Sequence, residues 1–152
     1  MSVSSIRTAV IAILAAAGAQ NVAAEEPGSF EPANAPKRVG TRVHYWRVKA
    51  GRAPGIGGAG YIDRRHVLTI TGFLGVARDH PDGEETSDIE ATDLLDAVVA
   101  ALEDPDNARP GTAIDRDGDV LPQPIRTGQV NDGQEAVAVH ILTITVTYTE
   151  AN

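Results

Sequence analysis

The chain has no cysteine among its 152 residues. That excludes disulfides, thiolate metal ligands and thiol nucleophiles together, and leaves the redox compartment open. Aromatic residues are scarce at 4%. The length suits a single domain over residues 1–152, whose core must then be built from Ala, Val, Ile and Leu. Basic charge is in deficit: 13 Lys and Arg stand against 21 Asp and Glu, a net charge of −8. A surface of that sign repels a phosphate backbone, so direct binding of nucleic acid is not expected; an acidic channel would let DNA pass without sticking. The longest apolar run, residues 9–19, has eleven residues and is too short to span a bilayer. The motifs Gly-x-Ser-x-Gly and His-Glu-x-x-His are absent, and His44, His66, His80 and His140 show no metal-ligand spacing. No catalytic residue, cofactor or metal is assigned, and no enzyme activity is expected.

What is present is a strongly patterned terminal strand over residues 136–148. Leu142, Ile144, Val146 and Tyr148 alternate with Thr143, Thr145 and Thr147. Side chains alternate sides along a strand, so one face is apolar and the other rich in hydroxyls. The apolar side is expected to face helices. The threonine side is left to a neighbouring subunit, a lumen or solvent, and the strand as a whole is expected to be capable of forming an edge.

Two helices are predicted. In the first, Ile6, Val10, Ile13, Leu14 and Ala17 recur at the spacing of one helical face, with Ser4 or Ser5 as N-cap and Gly18 as terminator. The alternative for this region is a secretory signal, with Arg7 before the apolar run and the small residues Val22, Ala23 and Ala24 after it. The second helix is predicted to start at Ser87, where Ser87 and Glu90 have the spacing of a capping box. Asp88, Glu90, Asp93 and Asp96 then fall in its first turns, where the helix dipole favours negative charge. Leu94, Leu95, Val98, Ala101 and Leu102 form its apolar stripe, and Pro105 ends it.

Strands are predicted over residues 42–48 and 61–76, with a weaker one over 120–126. Residues 25–37 and 107–119 read as loops, 79–85 as a charged turn and 131–133 as the turn before the last strand. Residues 51–60 hold five glycines and one proline and read as a mobile hairpin loop. A phosphate-binding loop would need to open a helix and carry Lys where Tyr61 stands. Asp115, Asp117 and Asp119 suggest calcium, but the glycine falls at position four instead of six, and position twelve is Arg126. A tight turn is the better reading there. Trp46 suits either an interface or the core. His44 and His140, in predicted strands, read as ordinary half-exposed histidines. The whole is an α+β fold, a mainly antiparallel β-sheet with two α-helices packed on one face.

The order of parts resembles the tail-terminator proteins of long-tailed phages and related particles. The likeness is carried by the close at residues 142–150 (LTITVTYTE), the opening helix at residues 6–10 (IRTAV) with Ile13 and Leu14, and the central helix at residues 92–98 (TDLLDAV). The resemblance implies a structural protein of the virion tail or phage-like particle, assembled in the host cytoplasm. It implies a homo-oligomer, a hexameric ring that caps the tail tube, halts polymerisation of the major tail tube protein and meets the head-tail connector or stopper protein. DNA would pass through its lumen without specific binding, and no membrane would be involved. Under that resemblance Arg52, Gly55, Gly57, Gly58 and Gly60 would meet the tube or a neighbouring subunit. Asp115, Arg116, Asp117 and Asp119 would lie at a ring interface or the lumen. The alternatives are another head-tail joining protein, or a secreted or periplasmic small binding domain that loses residues 1–24.

Overall fold

The computed structural model describes residues 2–25, 37–40, 42–56, 63–76, 83–133 and 135–150. The first helix, α1 (Ser2–Ala16), buries Ile6, Val10 and Leu14 completely, as the three- and four-residue spacing requires. It begins ahead of Ser4 and Ser5, so neither serine is its N-cap. Gly18 takes a φ of 111° after the last turn. There the Ala19 amide donates to the Leu14 carbonyl at 3.0 Å and the Gly18 amide to Ala15 at 3.2 Å. This paired closure satisfies carbonyls that a helix end otherwise leaves orphaned.

A short strand, β1 (Val22–Glu25), follows where the sequence reads as small residues and then loop. It runs parallel to β3 (Arg42–Ile56), while β2 (Arg38–Val39) pairs with the start of β3. β3 and β4 (Asp63–Gly75) make a long antiparallel hairpin. The glycine-rich segment is thereby corrected in part. Residues 51–56 continue β3, because their backbone groups pair across to β4 with an irregularity between Ala53 and Ile56. Residues 57–60 lie outside the described residues.

The second helix, α2 (Gly83–Glu103), starts one turn before the predicted Ser87. Glu84 and Glu85 are good helix formers whose charge suits a helix N-terminus, and they extend the helix backwards. A turn of 3-10 helix at Pro105–Asn107 ends it, as the proline demands. The stripe Ala91, Leu95, Val98 and Leu102 is buried, with Leu94 half-buried beside it. Among the described residues no helix is long and apolar enough to cross a membrane.

The terminal strand, β8 (Glu135–Glu150), pairs with β4 along one side from Val139 to Glu150. Its other side is occupied in succession by β7 (Arg126–Asp132), β6 (Leu121–Pro122) and β5 (Ala113–Arg116). Residues 113–132 thus descend β8 as one interrupted ribbon. This overturns two sequence expectations. Residues 107–119 are not all loop, because Ala113–Arg116 finds a strand partner only in the distant Tyr148–Glu150 region. The terminal strand is not an edge, because both of its sides are paired.

The sheet is mixed and mostly antiparallel, in the order β1-β3-β4-β8-β5, which makes the chain α+β. Trp46, Val48, Leu68, Ile70, Leu142, Ile144 and Tyr148 share one buried cluster with the helix residues Ile6, Val10, Leu14, Leu95, Val98 and Leu102. Trp46 is therefore a core residue. A second, smaller cluster holds Val43, Tyr45 and Val139, whose positions in their strands belong to the opposite side.

Candidate functional site

Strand register builds two polar groupings, one at each end of the β3–β4 hairpin. At the far end Arg52, His66, Tyr148 and Arg116 fall in one cross-strand row over β3, β4, β8 and β5. His66 and Tyr148 are buried at 1% and 0% exposure. Beside them, Glu150 Oε1 lies 3.6 Å from His66 Nε2, and the Thr112 hydroxyl donates to the other Glu150 oxygen. Among the described residues neither His66 nitrogen nor the Tyr148 hydroxyl has a hydrogen-bond partner. Burial disfavours a phenolate, and it pushes the Tyr148 phenol up to about 12 against the opposing charge of Arg116. An acid, an imidazole and a phenol in one place would serve proton transfer if a substrate could reach them. Their burial closes that route.

This row also places the acidic sequence motif. The Asp117 amide donates to Thr147 at 2.7 Å, and Asp117 Oδ2 accepts from Arg65 Nε at 2.7 Å. Arg116 donates through Nη1 to the Leu102 carbonyl of α2 at 2.9 Å and through Nε to Gly118 at 3.1 Å. Gly118 holds a φ of 81° where the ribbon breaks, in keeping with a turn. Arg116 and Asp117 are thus engaged within the chain, while Asp115 and Asp119 remain exposed. Of the other residues singled out from sequence, Arg52 and Gly55 belong to β3, and Gly57, Gly58 and Gly60 lie outside the described residues.

At the near end, His44, Leu74 and His140 share a row over β3, β4 and β8. His140 is not half-exposed as its strand position suggested. It is 1% exposed, with Nδ1 3.4 Å from Asp88 Oδ1 at the start of α2. Arg42 pairs with Glu90 of the same helix and donates through Nε to the Gly75 carbonyl at 2.8 Å. Trp46 Nε1 donates to His44 Nε2 at 3.0 Å. An accepting Nε2 places the His44 proton on Nδ1. Burial, joined by the Arg42 charge, holds His44 below its ordinary value of 6.5. Between these groups lies an open groove of about 410 Å³, with Val39, Leu74 and Leu94 as its apolar part and Glu90 and Asp93 as its acids.

No protein-family model and no curated protein matches this chain. Among the described residues no group of three His, Asp or Glu side chains is arranged to hold a metal ion. The remaining surface of note is the threonine side of the sheet. Thr69 pairs with Thr145 and Thr71 with Thr143, while Lys49 and Arg47 of β3 extend the same two rows. The four threonines are half-buried. Tyr45 and Phe73 stack nearby with centroids 4.6 Å apart, and Arg47 lies 5.1 Å from the Tyr45 ring centre.

Sequence reasoning missed His66, Tyr148, Glu150 and Thr112 as a group. No local spacing joins them, and only the register of β4 against β8 does.

Proposed function

We propose that the chain is a ring-forming structural subunit of the tail-terminator kind. In this reading copies of the chain close into a hexameric ring on the end of a tail tube. The ring stops addition of the major tail tube protein and offers its other surface to the head-side connector, with DNA passing through the lumen. The protein acts by shape and contact, not by catalysis.

The observation that carries this reading is the two-sidedness of β8. Its apolar row shares the cluster that holds the side chains of α1 and α2, while its threonine row lies on the other side, in register with Thr69 and Thr71. Both helices accordingly lie on one face of the sheet in this proposal. In this proposal the threonine face, with Lys49 exposed at its β3 margin, meets a neighbouring subunit or the lumen. The family resemblance rests on the order helix, strand, long connection, second strand, long helix and threonine-rich terminal strand, and α1, β3, β4, α2 and β8 follow one another in that order, with shorter strands between them. Asp115 and Asp119, exposed beside the end of β8, are the acidic residues placed at a ring interface or lumen.

The test is assembly. Purified protein is mixed with polymerising tail tube protein, and tube length and tube ends are imaged. Shortened tubes bearing a ring at one end are expected. A protein that stays monomeric at high concentration and leaves tube length unchanged would rule the proposal out.

A further inference from the structure

The groove at the near end of the sheet is part apolar and part acidic, and Arg42 is the only Lys or Arg that lines it among the described residues. Its apolar part, Val39, Leu74 and Leu94, suits the methylene stem of a long side chain. Of its two carboxylates, Glu90 is paired with Arg42. Asp93 is exposed and has no ion pair among the described residues. His44 lines the same groove and is held toward its neutral form, so it adds no competing positive charge. Such a groove has room for one cation on an aliphatic stem.

The chain carries a matching cation at the other end of the same hairpin. Residues 42–75 hold six basic residues against the single acid Asp63, a net charge of +5, so the rest of this −8 chain carries −13. Helix α2 alone has seven acids and no base. Within the hairpin, Arg42 and Arg65 are paired with Glu90 and Asp117, and Arg47 is buried. Lys49 is exposed, but it stands in mid-sheet opposite Thr69 and not at the far end. Arg64 is exposed and has no ion pair among the described residues. It stands ten residues from Leu74 along β4, about 33 Å at the rise of an extended strand. No side chain spans that distance, so Arg64 cannot occupy its own groove.

We infer that the groove between β3, β4 and α2 receives Arg64 of a second copy of this chain. The inference rests on the reading of the protein as a self-assembling subunit, and it names the contact. Because donor and acceptor lie at opposite ends of one strand, the contact joins two different surfaces. Repetition of such a contact is head-to-tail, and it makes a ring if it closes and a filament if it does not. Opposite charge on the two surfaces also sets which end meets which.

Two charge reversals test this, D93K in the groove and R64E on the hairpin. Each alone is expected to raise the concentration needed for assembly about tenfold or more, since like charges then meet in every contact. An equimolar mixture restores assembly to within about threefold of the unaltered protein, because each variant now complements the other. Rescue on mixing also shows that both variants are folded. Retention of the native Trp46 emission checks each one separately. Assembly of the unaltered protein should weaken as salt rises, which probes the contact without any substitution.

The inference is overturned if both variants assemble like the unaltered protein, if mixing folded variants restores nothing, or if mixing yields only a closed dimer. These results differ from failure of the tail reading. Charge-dependent head-to-tail assembly that never caps a tube leaves the contact standing and removes the tail function. Rings that cap tubes equally well with either variant do the reverse. A chain monomeric under all conditions removes both.

Discussion

Gly72 lies against the indole of Trp46, its cross-strand partner: a Cβ added at Gly72 would stand 2.6 Å from the Trp46 ring carbons. The indole is fully buried and has no room to retreat. Glycine is required here by close approach, not by backbone conformation. Gly72→Ala is expected to destabilise the fold by about 1–3 kcal/mol through overpacking. Urea unfolding followed by emission of the sole tryptophan measures it, and an unchanged midpoint would contradict the packing described.

Leu14 is fully buried in the cluster that α1 shares with the sheet. Leu14→Ala should cost about 2–5 kcal/mol, the range for a large core side chain cut to alanine. A cleaved signal segment would contribute nothing to the stability of the mature product. Mass spectrometry of the native protein therefore separates the two readings of this region: an intact N-terminus excludes cleavage near Ala24, and a product starting there would remove α1 from the fold.

Tyr148 has a buried hydroxyl without a partner among the described residues, and its ionisation is pushed up to about 12 from 10.0. Tyr148→Phe removes an unsatisfied polar group at nearly constant shape, so stability at neutral pH should hold or rise by about 1 kcal/mol. At higher pH the unfolded chain ionises this phenol near 10, while the folded chain keeps its proton until about 12. The unfolded state then binds fewer protons, so the Tyr148 contribution to stability falls as pH climbs through that interval. The loss of stability between pH 9 and pH 11 should therefore be smaller for the variant, so that its two unfolding curves lie closer together. A marked loss of stability at neutral pH would point to a hydrogen bond at that hydroxyl.

His44 gives a dependence at the acid end. Its folded value lies below 6.5, so the unfolded chain takes up the proton first as pH falls. Stability attributable to His44 is thus intact above about 6.5 and declines below it. His44→Gln keeps an acceptor for Trp46 Nε1 without titrating. It should show a shallower loss of stability between pH 7.5 and 5.5, and equal slopes for the two proteins would remove His44 from the account.

The parts legible in sequence are those written in local periodicity. The alternation at Leu142, Ile144, Val146 and Tyr148 and the helical stripes at Ile6, Val10, Leu14 and at Leu95, Val98, Leu102 all mark buried side chains. The end of α1 at Gly18 was equally plain, since a helix stop needs only its own last turn. The start of α2 is not legible at Ser87, because the capping-box pattern there competes with helix formers just upstream. β1 and β5 were not legible, since four-residue segments such as Val22–Glu25 and Ala113–Arg116 become strands only by pairing with chain far away.

By itself, then, the sequence determined which face of each long element is apolar, because backbone geometry projects side chains at fixed intervals. Tertiary structure alone decided that β8 is internal and not an edge, that His66 and His140 are buried, and that the exposed Arg64 and the acidic groove lie at opposite ends of one hairpin. Those are matters of register and strand order. They depend on which distant segments meet, and no local spacing of residues encodes that.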